Sequence, residues 1–143
     1  MFRQLTDRVF ASPQIGLAEV AEAAASGIGL IINNRPEGES EDQVPGEDIA
    51  AAARAAGIDY VAIPVTHAGF SQPQITAMRA ALDGSEGKVL AYCRSGTRST
   101  LLWALAEASA GKSPDELAEQ AARAGYDLGP IRALLDMLAA GKN

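Results

Sequence analysis

The single thiol of the 143-residue chain, Cys93, opens the run Cys93-Arg94-Ser95-Gly96-Thr97-Arg98-Ser99-Thr100, between the apolar stretch Lys88 to Tyr92 and a helical pattern. A short loop between a strand end and a helix start turns its backbone N–H groups inward over the helix N-terminus, which makes an anion cradle. Gly96 lets the backbone curl at either sign of φ. Arg94 or Arg98 can add a guanidinium fork suited to a tetrahedral oxyanion, and Arg98 is better placed because it closes the loop where the helix begins. A cysteine in such a field is expected to be substantially thiolate at neutral pH. The segment thus supplies a nucleophile, Cys93, assisted by Arg98. It also supplies a binding site for a small anion from Arg94, Ser95, Gly96, Thr97 and Ser99. An inert, buried cysteine is the plain alternative, but two arginines, several hydroxyls and a glycine make an odd wall for one.

Two other loops fall on the same rim if the apolar runs before them are parallel strands. Asn33-Asn34-Arg35 follows Ile28 to Ile32, and Arg35 could reach a substrate anion or pack against a neighbouring loop. Thr66-His67-Ala68-Gly69-Phe70-Ser71 follows Asp59 to Val65 and contains no carboxylate; His67 could stand in there as a proton donor, or be only a solvated side chain. Glu37, Glu39, Glu41, Asp42, Glu47 and Asp48 crowd a stretch with no Lys or Arg between 37 and 48, which reads as a solvated, mobile loop. One of these acids could still swing over the site. Tyr92 and Trp103 read as core or pocket wall.

The hexad from Cys93 to Arg98 resembles the active loop of rhodanese-like sulfurtransferases: Cys, four residues, Arg. Cysteine-dependent phosphatases use a similar loop one residue longer, and here the sixth position after the cysteine is Ser99. Over a longer span the chain resembles the beta-lactamase-hydrolase-like family. The residues that carry this are Ile31-Ile32-Asn33-Asn34-Arg35-Pro36-Glu37-Gly38-Glu39, the Tyr60 to Val65 strand, and Ala91 to Thr100 with Trp103-Ala104-Leu105. The resemblance implies a phosphatase-like fold and, for that family, a function often described as sulfur transfer.

The two chemistries differ at the leaving group. Phosphoryl transfer from an ester to cysteine benefits from a general acid that protonates the departing oxygen. Sulfane-sulfur transfer needs no proton, because sulfite or a thiolate leaves as an anion. Loop length and the missing acid therefore point first to a sulfurtransferase that passes sulfur from thiosulfate or a persulfide through a Cys93 persulfide to a thiol or cyanide acceptor. A cysteine phosphatase and a non-catalytic anion-binding module are the alternatives.

Composition bounds the rest. One cysteine excludes an internal disulfide and a CxxC site, and no metal or cofactor is expected. A net charge of −6 argues against nucleic-acid or membrane-surface binding. The apolar runs are shorter than the ~20 residues of a membrane span, and the first residues do not resemble a signal peptide, so a cytoplasmic location is the default expectation. The 29 alanines explain a hydrophobic fraction of 48% beside a mean hydropathy of only +0.01. Ala-rich stretches such as Ala50 to Ala56 could pack within or between chains, which leaves a homo-oligomer open.

Positioning the three loops requires alternating strands and helices. Phe2 to Leu5 and Arg8 to Ala11 read as an edge hairpin, and Ile28 to Ile32, Asp59 to Val65 and Lys88 to Tyr92 as strands. Helices are predicted at Leu17 to Ala25, Ile49 to Ala56, Ser71 to Leu82, Ser99 to Ala110, Ser113 to Ala124 and Gly129 to Ala140. The expected fold is α/β, of cysteine phosphatase or rhodanese type. It has a mainly parallel central sheet of four to five strands, helices on both faces and a helical C-terminus, in one domain over residues 1–143. Its working site lies at the carboxyl ends of the strands.

Overall fold

A computed structural model describes residues 2–141; positions 1, 142 and 143 of the expected domain lie outside the described residues. Five strands form one sheet in the order β1-β2-β5-β3-β4: β1 Arg3–Gln4, β2 Val9–Ser12, β3 Ile28–Asn33, β4 Asp59–Ala62 and β5 Lys88–Tyr92. Only β1 runs antiparallel; β2, β5, β3 and β4 are parallel. The N-terminal hairpin is formed, but of its two strands β1 alone lies at the sheet edge, because β2 pairs along its length with β5.

The registers bring the strand ends level. Ser12 and Asn33 both stand opposite Tyr92, and Asn33 stands opposite Ala62. The residues that follow them, Pro13 and Gln14, Asn34 and Arg35, Ile63 to Val65, and Cys93, therefore emerge on one rim. Regular pairing of β4 ends three residues earlier than the sequence suggests, at Ala62, where Pro64 nearby can donate no ladder hydrogen bond. Ile63 and Val65 still donate their N–H groups to the Asn33 and Asn34 carbonyls at 2.9 Å.

Both sheet faces are covered, as the apolar strands require. Leu90, Tyr92, Ile28 and Ile31 face α1 (Leu17–Ala25) and α2 (Gly46–Ala55) through Val20, Ala23, Ile49 and Ala53. The alternate residues Val89, Ala91, Leu30 and Ile32 belong to the core on the other face, with α3 (Gln72–Gly84) and α4 (Thr97–Ser109), and α5 (Pro114–Arg123) and α6 (Arg132–Ala140) pack against α4. Helix α4 is apolar all round, with Leu102, Trp103, Ala104 and Leu105 wholly buried, as befits a helix enclosed by the sheet and its neighbouring helices. The Cys93 loop runs straight into its first turn.

Caps explain several helix starts. Ser113 accepts from the Glu116 N–H at the start of α5, and the Ser71 N–H donates to Gln74 Oε1 at 2.8 Å before α3. The predicted final helix is divided. Gly129–Ile131 forms one 3₁₀ turn, with Pro130 inside it, and α6 begins at Arg132. Among the described residues no helix is long and apolar enough to cross a membrane.

Candidate active site

Cys93 follows the last residue of β5 and is fully buried at the floor of the loop. Its own N–H donates to the Ser12 carbonyl at 3.3 Å, extending the β2–β5 pairing by one step. Three residues on, the Gly96 N–H donates to Cys93 Sγ at 3.1 Å, a donor well suited to a thiolate acceptor. Gly96 has φ +91°, and a Cβ there would stand 2.1 Å from Tyr126 Oη, so conformation and space both require glycine. Gly96 is also the N-cap of α4, which begins at Thr97 rather than Ser99. The loop therefore closes onto the positive end of a 13-residue helix. The Thr100 hydroxyl and N–H both return to the Gly96 carbonyl, at 2.8 and 3.0 Å, and fix that first turn.

Arg98 lies in this turn and is mostly buried. Its Nη1 donates to Glu39 Oε2 and to the Val65 carbonyl, both at 2.7 Å, and its Nη2 donates to Glu39 Oε1 at 2.8 Å. A bidentate fork of this kind fixes the guanidinium plane. Arg35 grips the same carboxylate, with Nε donating to Glu39 Oε1 at 3.0 Å, while its Nη1 and Nη2 donate to Gln14 Oε1 and Ser40 Oγ. The Arg98 guanidinium, and after it that of Arg35, hold the Glu39 carboxyl down at about 2 against the opposing effect of burial. The same partner, with the nearby Cys93, raises Arg98 further above its ordinary value. Glu39 is therefore a permanent anion at neutral pH and is no source of a proton.

The acidic stretch is thus anchored where it meets the rim. Besides the two arginines, the Glu39 N–H donates to Gln43 Oε1 at 3.0 Å, and Gly46 at the start of α2 donates to Glu37 Oε1 at 2.7 Å. The reading of this run as a solvated, mobile segment does not hold for Glu39, which is largely buried and gripped by two arginines; Glu37 stays exposed, with its carboxylate on the first N–H of α2. From sequence alone Glu39 could not be told apart from five neighbouring acids.

The remaining candidates fall into two groups. Ser95 stays on the loop and Thr97 opens α4, their hydroxyls 3.0 Å apart, and Ser99 is wholly buried one residue past Arg98 with its Oγ unpartnered. Arg94 is exposed; its carbonyl accepts from the Gln14 N–H at 3.2 Å. Arg35 is only 5% exposed and its donors are committed to protein groups, so it meets the rim through Glu39. His67 is exposed, two residues beyond the Val65 carbonyl that holds Arg98. Tyr92 packs under the sheet on the α1–α2 side, where burial pushes its phenol above the ordinary range. Among the described residues no group of three His, Cys, Asp or Glu side chains could hold a metal ion.

One contributor was not expected from the sequence. Tyr126, in the connection after α5, donates its hydroxyl to the Ser95 carbonyl at 3.0 Å. No local pattern marks this residue, since its role depends on the C-terminal helices folding back over α4.

Residues 1–110 match the family model for "Beta-lactamase hydrolase-like protein, phosphatase-like domain". A beta-lactamase hydrolase-like protein of Xylella fastidiosa strain Temecula1 is 39% identical over 127 residues. These are 87% of this chain but only 29% of the relative, so the chain spans less than a third of that protein's length. Among solved structures, a Neisseria meningitidis Z2491 protein described as a "putative phosphatase" superposes with a TM-score of 0.83 at 34% identity, over 95% of this chain and 96% of that one. The kinase associated phosphatase shares the fold alone, with a TM-score of 0.73 at 18% identity over 97% and 94% of the two chains.

Proposed function

The chain belongs to the phosphatase-like domain family of the beta-lactamase hydrolase-like proteins, and from that premise we propose that it is a cysteine-dependent phosphatase acting through a phosphocysteine at Cys93. The observation that carries this is the Gly96 N–H set on a buried Cys93 Sγ, in a loop that ends on the α4 N-terminus and the clamped Arg98. The phosphatase-like fold, shared at 34% identity over nearly the whole chain, favours phosphate over the sulfur transfer suggested by loop length.

In this reading the Cys93 thiolate attacks phosphorus, the ester P–O bond breaks, and the leaving oxygen departs with the electron pair. Water then attacks the phosphocysteine, the S–P bond breaks, and inorganic phosphate and the thiolate are restored. Backbone N–H groups of the loop and Arg98 stabilise the equatorial oxygens in both steps. No carboxylate stands in the 66–71 loop and Glu39 is held ionised, so substrates that depend least on a proton donor, such as aryl phosphates whose leaving oxygen is already a weak base, are favoured. Release of phosphate from an aryl phosphate, abolished in Cys93→Ser, is the expected result; equal release by wild type and variant would exclude the reading.

A second reading keeps the same residues. The four-residue spacing from Cys93 to Arg98 and the missing acid favour sulfane-sulfur transfer, in which the thiolate attacks the outer sulfur of thiosulfate and sulfite leaves with the S–S pair. An acceptor thiolate or cyanide then takes the sulfur from the Cys93 persulfide. Cys93-dependent thiocyanate formation from thiosulfate and cyanide, without phosphate release from an aryl phosphate, would select this reading.

A further inference from the structure

Tyr126 lies outside the span matched by the family model, yet it touches the Cys93 loop at the Ser95–Gly96 peptide. Its Oη donates to the Ser95 carbonyl at 3.0 Å, and the N–H on the other side of that peptide bond, from Gly96, donates to Cys93 Sγ at 3.1 Å. Among the described residues every peptide is trans. A trans peptide is planar and points its C=O and N–H in opposite directions, so a group that draws the carbonyl one way aims the N–H the other way. Hydrogen bonds at the two ends of one amide also polarise each other.

We propose that Tyr126 is a positioning residue for the Cys93 thiolate, acting through the Ser95–Gly96 peptide: its hydroxyl fixes the plane of that amide and strengthens the N–H donated to sulfur. The proposal rests on the thiolate reading given above, and not on which group the thiolate transfers.

The surroundings of Tyr126 suit this work. It is only 7% exposed, and Arg3 lies over its ring, 5.1 Å from the centroid, while also reaching the Ala124 carbonyl. Burial raises the phenol above its ordinary value, so the hydroxyl remains a donor across the working range. A Cβ at Gly96 would overlap the hydroxyl, which ties the glycine and the tyrosine to one another. Arg98 from α4 and Tyr126 from the C-terminal connection are titratable groups that feel the sulfur, Arg3 lies over the Tyr126 ring, and Glu39 pairs with Arg98.

The test uses the chain's single cysteine. Far-ultraviolet thiolate absorbance is followed against pH in the full chain, with Cys93→Ser as the blank, for wild type, Tyr126→Phe and Tyr126→Leu. Melting curves establish that each is folded. Phe keeps the ring and removes only the hydroxyl. The midpoint for thiolate appearance is expected to rise in Tyr126→Phe by roughly half a unit to one unit, a three- to tenfold loss of thiolate below the midpoint, with Tyr126→Leu shifted at least as far. A Phe variant that titrates like wild type while only Leu differs would show a packing role and overturn the proposal. A wild-type chain with no thiolate signal at neutral pH would overturn the thiolate reading itself, before any variant is compared.

Discussion

Replacing Glu39 by Gln removes one negative charge from the point where two buried arginines converge and changes little else in shape. The carboxyl is held at about 2 rather than 4.5, chiefly by the Arg98 fork at 2.7 and 2.8 Å and then by Arg35 at 3.0 Å. At 1.36 kcal/mol per unit this corresponds to about 3 kcal/mol, and residual exposure of 15% lowers it to about 2–3 kcal/mol. For a chain of this size that is a fall in melting temperature of roughly 5–10 °C at neutral pH. The sign of the pH dependence follows from the depressed carboxyl. The stabilisation is complete above the ordinary carboxylate range near 4.5 and is lost as pH falls toward about 2. Urea unfolding of wild type and Glu39→Gln at a series of pH values should therefore give a constant gap above about pH 5 that closes on acidification. Equal stability at pH 7, or a gap that persists undiminished to pH 2, would refute the electrostatic account of the clamp.

Other outcomes follow from the same geometry. Gly96→Ala should cost about 2–4 kcal/mol of stability, measured by denaturant unfolding, because φ +91° and a Cβ 2.1 Å from Tyr126 Oη both oppose a side chain. Arg98→Lys keeps the charge but loses the planar fork shared with Glu39, and steady-state kinetics on an aryl phosphate should show kcat/KM lowered by about a hundredfold or more. Across a series of phosphate esters, single-turnover rates should fall steeply as the leaving oxygen becomes more basic, since no carboxylate stands in the 66–71 loop and Glu39 is held ionised; a flat dependence, lost in His67→Ala, would mean that His67 donates the proton.

Much of this was legible in the chain. The buried runs Ile28 to Ile32 and Lys88 to Tyr92 announce parallel strands because every residue but Gly29 and Lys88 is apolar, and both proved covered on two faces. The Cys93 loop was readable because its residue types have few other uses at that spacing. What escaped depends on partners distant in sequence. Val9–Ser12 has four residues and no pattern that states whether it borders β5, and only the level ends of β2, β5 and β3 place Gln14 beside Arg35. Glu39 is one of six acids until two arginines select it. Tyr126 is an ordinary aromatic in a connection until α5 and α6 fold back against α4 and place its hydroxyl on the Ser95 carbonyl. Electrostatic clamps and loop-positioning contacts are tertiary properties, and local periodicity does not encode them.

The central claim is that Cys93 becomes covalently attached to the group it transfers. Intact-protein mass spectrometry after rapid acid quench, with an aryl phosphate and with thiosulfate in separate reactions, tests it most directly. The account predicts an added phosphoryl group on Cys93 with the aryl phosphate, absent in Cys93→Ser, whereas an added sulfur atom from thiosulfate alone would transfer the same site to the second reading. An unchanged mass with both donors, or an adduct that survives Cys93→Ser, would contradict it.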